Sequence, residues 1–210
     1  MPGFTDLTGL LGIALATAVL CALGLQRLCR WRYVSTSPRE SLFLLPAIAG
    51  LVLLGLFLPL GDLPAGAYLR GMVGDLSITT LVLIGYAAMR QMVVLPPMSA
   101  SRSYGAFLVL GLAASLLYPL ALGATPFDSY RWGYGEPWFV GLLLVVALAG
   151  LTLRMPLVTI SISLAVLAWA AGWYESGNLW DYLIDPMVAG YAVFALLNSI
   201  AWLWRLGRSR

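Results

Sequence analysis

Three carboxylates, Asp75, Glu136 and Asp185, are well placed to do chemistry, because each directly precedes a long apolar run. Carboxylates brought together could exchange protons with a substrate as general acid and base, or bind a cation or a polar head group. The same position also suits a helix N-cap, where a carboxylate accepts free backbone N–H groups at the positive end of the helix dipole. Proline follows Glu136 and Asp185, as is common in the first turn of a helix. The pattern favours capping, with a shared binding site as the alternative.

Two arginines, Arg70 and Arg131, lie among acidic residues, whereas the other ten arginines lie in a different set of loops. Local ion pairs would explain them: Arg70 with Asp62 or Asp75, and Arg131 with Asp128 or Glu136. The alternative is that their guanidinium groups hold an anionic lipid phosphate or glycan carboxylate by bidentate contacts. Because Arg70 and Arg131 occupy matching places in two loops, we expect them to behave alike.

The candidate binding residues fall in three polar segments: loop A (Gly61 to Asp75), loop B (Ala124 to Pro137) and loop C (Tyr174 to Pro186). Aromatic rings in loop B could stack on sugars, although aromatic residues are also typical of a membrane interface. In loop C, Asp181 and Asp185 would share a face if that loop is helical. The residues assigned to substrate or partner binding are Arg70, Asp75, Asp128, Arg131, Trp132, Tyr134, Glu136, Asp181 and Asp185.

Several classes of chemistry lack the residues they need. The chain has no histidine and no lysine, which excludes histidine ligation of haem or zinc and a lysine Schiff base. Serine and cysteine lack an accompanying general base. No catalytic residue, metal ligand or cofactor is therefore assigned, and a non-enzymatic protein is favoured. Near the middle of the apolar runs the strongest hydrogen-bonding side chain is that of Asn198, for which a contact between helices is preferred over a substrate ligand.

The elements that must position these residues are membrane helices. The chain is 61% hydrophobic and 10% charged, whereas a soluble domain is about a quarter charged. Seven apolar runs approach the roughly 20 residues that a spanning helix needs. Ten of the twelve arginines lie in one set of loops and eight of the nine acidic residues in the other. Since cytoplasmic loops retain positive charge, the sequence predicts an all-α, polytopic bundle of seven spans, with the N-terminus outside and the C-terminus cytoplasmic.

Residues 1–210 are predicted to form a single integral membrane domain. The predicted helices cover about 7–28, 38–60, 76–95, 104–123, 137–154, 156–174 and 186–206. Ala14, Ala18 and Ala22 give the first helix a smooth face for close packing. The six later helices form three hairpins, and loops A and B share an Arg-x-x-x-Gly-acid pattern. Either a genuine duplication or shared membrane constraints would account for that pattern.

These features predict a non-catalytic subunit or scaffold of a bacterial envelope system that assembles lipid or glycan material. The alternative is a small transporter or flippase with an outward vestibule, and an enzyme using carboxylates at the outer interface ranks third. Basic residues that are all arginine indicate a high-GC bacterial genome and hence the inner membrane. Expected partners are the lipid bilayer, an anionic lipid or glycan head group, and a protein partner or second copy of the chain. Nucleic acid is not expected, because the positive charge belongs to helix flanks.

Overall fold

The computed structural model describes residues 4–32, 38–92, 100–122 and 126–208. Within these ranges it contains nine α-helices, a 3₁₀ helix at Tyr130–Gly133 and a pair of two-residue strands. The helices are α1 (Phe4–Arg32), α2 (Pro38–Phe57), α3 (Ala65–Val73), α4 (Ile78–Gln91), α5 (Ala100–Ala121), α6 (Pro137–Thr152), α7 (Pro156–Ala170), α8 (Leu179–Leu183) and α9 (Pro186–Arg208). The predicted all-α class is confirmed.

One described helix is both long and apolar enough to cross a bilayer, over Thr5–Leu28 of α1. Shorter apolar helical stretches of 10–17 residues occur at Phe43–Phe57, Gly105–Ala121, Pro137–Thr152, Pro156–Ala170 and Pro186–Asn198. The described helices therefore do not confirm a bundle of seven spans. The ends predicted for the third and fourth spans, at 95 and 123, lie outside the described residues.

The helix starts follow the chemistry of their first residues. Helices α6, α7 and α9 each begin at a proline, at Pro137, Pro156 and Pro186. Proline is suited to this position because its missing N–H would have no partner in the first turn and its φ is already helical. The starts predicted at 137, 156 and 186 coincide with these prolines.

The chain divides into two compact units. The first unit comprises Met1–Leu76, Leu81–Pro97 and Trp173–Glu175, and the second comprises Ser77–Thr80, Met98–Gly172 and Ser176–Arg210.

In the first unit, α1 packs against α2 and α3. The predicted small-residue face of α1 is confirmed, since Ala14, Ala18 and Ala22 are at most 1% exposed. Ala22 packs with Leu45 of α2 and Ala88 of α4, and such small side chains let helix backbones approach closely. Strand β1 (Pro59–Leu60) directly precedes loop A and pairs antiparallel with β2 (Leu63–Pro64) inside it. Loop A then forms α3.

In the second unit, α5 packs against α9 and α6 packs against α7. Glycines permit both approaches. A Cβ at Gly111 of α5 would lie 2.2 Å from Leu196 Cδ1, and one at Gly150 of α6 would lie 2.8 Å from Thr159 Oγ1. Phe139 is buried in this unit, and its ring lies 4.6 Å from that of Trp180. This packing holds loop C against the first turn of α6.

Candidate functional site

Arg70, in the last turn of α3, is the centre of an ion cluster in the first unit. Its Nε and Nη2 donate to the two carboxylate oxygens of Asp75 at 2.7 and 3.1 Å. Nη1 donates to the side chain and the carbonyl of Asp6 at 3.0 and 3.3 Å, and Nη2 also donates to Glu175 at 3.3 Å. A guanidinium has five N–H donors, so these five bonds leave it none for a further anion.

The local backbone explains how Asp75 reaches Arg70 five residues earlier. Gly74 ends α3 with φ +78°, a conformation that glycine adopts without steric cost. Gly9 of α1 lets the cluster lie directly against the helix backbone, because a Cβ there would be 2.3 Å from Asp75 Oδ1. The Asp75 hydrogen bonds are the main cause that raises the pKa of Arg70 above its ordinary value, so the arginine stays charged.

Asp185 is the centre of a separate, buried cluster in the second unit and is 5% exposed. Its Oδ1 accepts the backbone N–H of Val188 at 2.8 Å, which caps α9. Its Oδ2 accepts the Ser77 backbone N–H and hydroxyl, both at 2.9 Å, and the Thr80 hydroxyl at 2.5 Å. A buried carboxylate is costly unless it is hydrogen-bonded, and these four bonds supply that compensation.

A third polar network joins loops B and C in the second unit. The Tyr130 hydroxyl lies 2.9 and 2.8 Å from the two oxygens of Asp181, and the Ser176 hydroxyl donates to Asp181 at 2.5 Å. Burial first, and the bond to Asp181 second, raise the pKa of Tyr130. Asp181 therefore acts as an acceptor that ties the two loops together.

Asn178 also joins loops B and C and is fully buried. Its Nδ2 donates to the Tyr130 carbonyl at 2.9 Å, and its Oδ1 accepts the Trp180 N–H at 2.9 Å, capping α8. The amide fits against Gly133, where a Cβ would lie only 1.7 Å from Asn178 Oδ1. The Trp180 indole N–H donates to the Ser129 carbonyl at 3.1 Å.

In the second unit, loop B and the first turn of α6 form a surface, here called the loop B surface, in which Trp132 is half-buried and the other members are exposed: Phe127, Asp128, Arg131, Trp132, Tyr134 and Trp138. The ring of Trp132 lies 5.1 Å from that of Phe127 and 4.6 Å from that of Trp138, both edge-on. Phe127, Tyr134 and Trp138 are exposed, Tyr134 by 64%. Arg131 is also exposed and, among the described residues, its side chain forms no ion pair or hydrogen bond.

The capping prediction has three different outcomes. Asp185 caps α9, as predicted. Asp75 does not cap α4, because the Ser77 hydroxyl accepts the Thr80 N–H at 3.2 Å and takes that role while Asp75 binds Arg70. Glu136 occupies the N-cap position of α6 without a capping bond from its side chain.

The ion pairs predicted for the two arginines also have different outcomes. The predicted Arg70–Asp75 pair is confirmed, but Arg131 pairs with neither Asp128 nor Glu136 among the described residues. The two arginines therefore differ in their contacts, although they occupy matching places in loops A and B. Asp128 instead accepts the backbone N–H of Tyr130 at 2.9 Å.

Two further predictions are corrected. Asp181 and Asp185 do not share a helix face, because α8 ends at Leu183 and the two carboxylates bind different partners. Asn198 does not join helices within the described chain, since it is exposed and no hydrogen bond to its side chain is present among the described residues.

The sequence did not point to Asp6, Glu175, Asn178 or Gln26. Asp6 and Glu175 reach Arg70 from 64 and 105 residues away, a separation that no local pattern encodes. Gln26 of α1 is 0% exposed, and neither oxygen nor nitrogen of its amide has a hydrogen-bond partner among the described residues. A polar residue inside an apolar run was the available signal for Gln26.

The described residues contain no group of three or more histidine, cysteine, aspartate or glutamate side chains arranged to hold a metal ion. Comparison of the chain with protein-family models, curated proteins and solved structures gives no significant match.

Proposed function

We propose that this chain is a non-catalytic integral membrane subunit of a bacterial envelope system that assembles lipid or glycan material. In this role the loop B surface contacts an anionic lipid or glycan head group, or a partner protein. The observation that best supports this proposal is the difference between Arg70 and Arg131, the two arginines that lie apart from the other ten. Arg70 has every donor occupied within the chain, whereas Arg131 is exposed without an ion pair among the described residues.

The placement of the carboxylates supports a non-catalytic role. Asp75 is bound to Arg70, Asp181 to Tyr130 and Ser176, and Asp185 to four donors in a buried setting. A general acid or base has to come within hydrogen-bond distance of a substrate proton. These carboxylates would first have to give up bonds that hold the loops together.

The aromatic residues support an interface with lipid or sugar. Trp138 stands in the first turn of α6, and exposed leucine side chains follow it along that helix. Tryptophan and tyrosine favour the membrane–water boundary because one part of each ring system is apolar and another is polar. Arg131, six residues before the start of α6, would then lie at the level of lipid phosphates.

The test is lipid retention by Arg131→Lys in nanodiscs containing phosphatidylglycerol and phosphatidylcholine. Lysine keeps the charge but loses the planar fork that binds phosphate through two parallel bonds. We expect a several-fold decrease in phosphatidylglycerol retained per folded protein, measured by mass spectrometry. Arg154→Lys is the matched control, since Arg154 is also exposed, and should retain the wild-type amount. Equal retention by all three proteins would contradict head-group binding by Arg131.

A partner protein is tested separately with a photo-crosslinking amino acid at Tyr134 in living cells. The same amino acid at Leu144, which is exposed on the apolar surface of α6, is the control. A discrete protein adduct at position 134, absent at position 144, would support the subunit role. Lipid adducts at both positions would contradict it.

A transporter or flippase is the second candidate, and the similar local structure of loops A, B and C favours it. Each of loops A, B and C contains a short helical segment that ends two or three residues before its acidic residue, which also fits a repeated hairpin. Purified protein in vesicles carrying fluorescent phosphatidylethanolamine or phosphatidylglycerol should scramble neither lipid if the subunit proposal is correct. Scrambling that Asp185→Asn abolishes would favour the flippase.

A further inference from the structure

The apolar helices α6 and α7 form a hairpin that is short for a bilayer. Helix α6 has 16 residues and α7 has 15, which correspond to about 24 and 22 Å at the rise of an α-helix. The hydrocarbon core of a typical bilayer is about 30 Å thick. If this hairpin crosses a membrane, α6 and α7 fall short of that core by about 6 and 8 Å.

The surface of the hairpin is lipid-like along its whole length. Between Glu136 and Arg154, and between Arg154 and Glu175, the sequence contains no charged residue. Large apolar side chains cover the exposed faces of both helices: Leu142, Leu144, Val145, Leu148, Leu151, Ile160, Leu164 and Leu167. The two helices expose these residues although they pack against each other through Gly150 and Thr159.

Both ends of the hairpin carry residues that resist entering hydrocarbon. Trp138 is exposed in the first turn of α6. In the last turn of α7, the Trp169 indole N–H donates to the Gly177 carbonyl at 2.9 Å. Arg154 is exposed in the turn at the opposite end. Tryptophan favours the interface, and a buried arginine costs several kcal/mol, so the apolar band is bounded on both sides.

The turn between α6 and α7 is tight and hydrogen-bonded, so it adds no length to the apolar part of the hairpin. The N–H groups of Arg154 and Met155 donate to the carbonyls of Leu151 and Gly150 at 3.2 and 2.7 Å. Arg154 has φ +56° there. A helix that is too long can tilt, whereas one that is too short is accommodated by a thinner bilayer, by snorkelling of its flanking residues or by oligomerisation.

We propose that the α6–α7 hairpin is matched to a thin hydrocarbon layer, and that the lipids it prefers are phospholipids with short acyl chains. This inference rests on the membrane location in the proposed function. It goes beyond that function by naming the acyl-chain length of the surrounding lipid. The hairpin thins longer-chain bilayers locally.

The experiment is backbone hydrogen exchange of the full chain in vesicles of dimyristoleoyl, dioleoyl or dierucoyl phosphatidylcholine, in order of increasing thickness. Protection of α6 and α7 peptides should be greatest in the thinnest bilayer and fall by about tenfold or more in the thickest, given the usual cost of mismatch. Peptides from Thr5–Leu28 are the internal control. That run of 24 residues is about 36 Å long and should keep its protection in the thicker bilayers.

A variant with four extra apolar residues in the middle of both helices should move the protection maximum to dioleoyl lipid. Wild-type protection that is independent of chain length, or greatest in dierucoyl lipid, would overturn the thickness proposal. Carbonate extraction of native membranes is done first. A chain released by carbonate would contradict the membrane location itself, whereas a retained chain with the wrong thickness dependence would contradict this inference alone.

Discussion

Gly9 shows how little space surrounds the Arg70 cluster. A Cβ at this position would lie 2.3 Å from Asp75 Oδ1 and 2.7 Å from Arg70 Nε, closer than non-bonded atoms tolerate. Gly9→Ala should therefore push the cluster apart and destabilise the protein by about 1–3 kcal/mol, the usual cost of overpacking. Denaturant unfolding in detergent, followed by circular dichroism, measures this change.

Gly24→Ala is the matched control, because Gly24 lies in the same helix and a Cβ there meets no atom within 4 Å. Alanine favours a helix over glycine by up to about 1 kcal/mol, so this variant should be as stable as wild type or more so. Equal effects of the two substitutions would show that helix propensity, and not contact with Arg70, decides the result.

Tyr130 makes the stability depend on alkaline pH. Burial, and then the hydrogen bond to Asp181, raise the pKa of Tyr130 above the ordinary value of about 10. The unfolded chain therefore loses this proton first, and the stabilisation is complete below pH about 10 and declines as the pH rises towards the folded pKa. Thermal unfolding of Tyr130→Phe should depend less steeply on pH above about 10 than that of wild type. An equally steep pH dependence of Tyr130→Phe and wild type would contradict a contribution from Tyr130.

Among the elements, loops B and C depend on one buried amide. Asn178 caps α8 and also binds the Tyr130 carbonyl, so one side chain fixes two segments 48 residues apart. Asn178→Ala would remove the cap and leave the buried carbonyl without its donor. We expect a loss of about 2–4 kcal/mol in the free energy of unfolding, measured by denaturant titration.

Asn198→Ala is the control for this loss in the free energy of unfolding. It tests whether the loss comes from the contacts of Asn178 or from the replacement of any asparagine by alanine. Asn198 is exposed, and no hydrogen bond to its side chain is present among the described residues, so its replacement should change stability by no more than about 0.5 kcal/mol. A loss at Asn198 as large as that at Asn178 would indicate a contact of Asn198 beyond those of the described residues.

The elements also show what local sequence can and cannot predict. Prolines at 137, 156 and 186 predicted three helix starts, because proline restricts its own backbone. The alanine spacing of α1 predicted its buried face. The short helices α3 and α8 were missed, since their sequences lie in polar segments between longer apolar runs. The partners of Arg70 were missed because ion pairs between distant segments depend on the tertiary fold, and Arg131, with the same local pattern, forms none among the described residues.

At the scale of the whole molecule, charge asymmetry makes the clearest prediction, because it does not depend on helix length. Ten arginines lie in one set of alternate loops, and eight acidic residues lie in the other set. Positively charged loops resist translocation and stay in the cytoplasm. The shortness of the described apolar helices does not change that division. An odd number of crossings places the two ends of the chain on opposite sides.

A fluorescent protein fused after Arg210 should therefore be bright in the cytoplasm, and an epitope tag at Gly3 should be reached by antibody from the periplasm. Loop positions provide independent checks in a background without native cysteines. A cysteine at Asp128, which is exposed in loop B, should react with an impermeant maleimide from the periplasm. A cysteine at Arg154, in the turn between α6 and α7, should react only after the membrane is opened.

The N-terminus and the C-terminus on the same side of the membrane would contradict the seven-span arrangement. Labelling of positions 128 and 154 from the same side would show that α6 does not cross the bilayer, and would restrict the crossing elements to helices such as α1 that are long enough without thinning it.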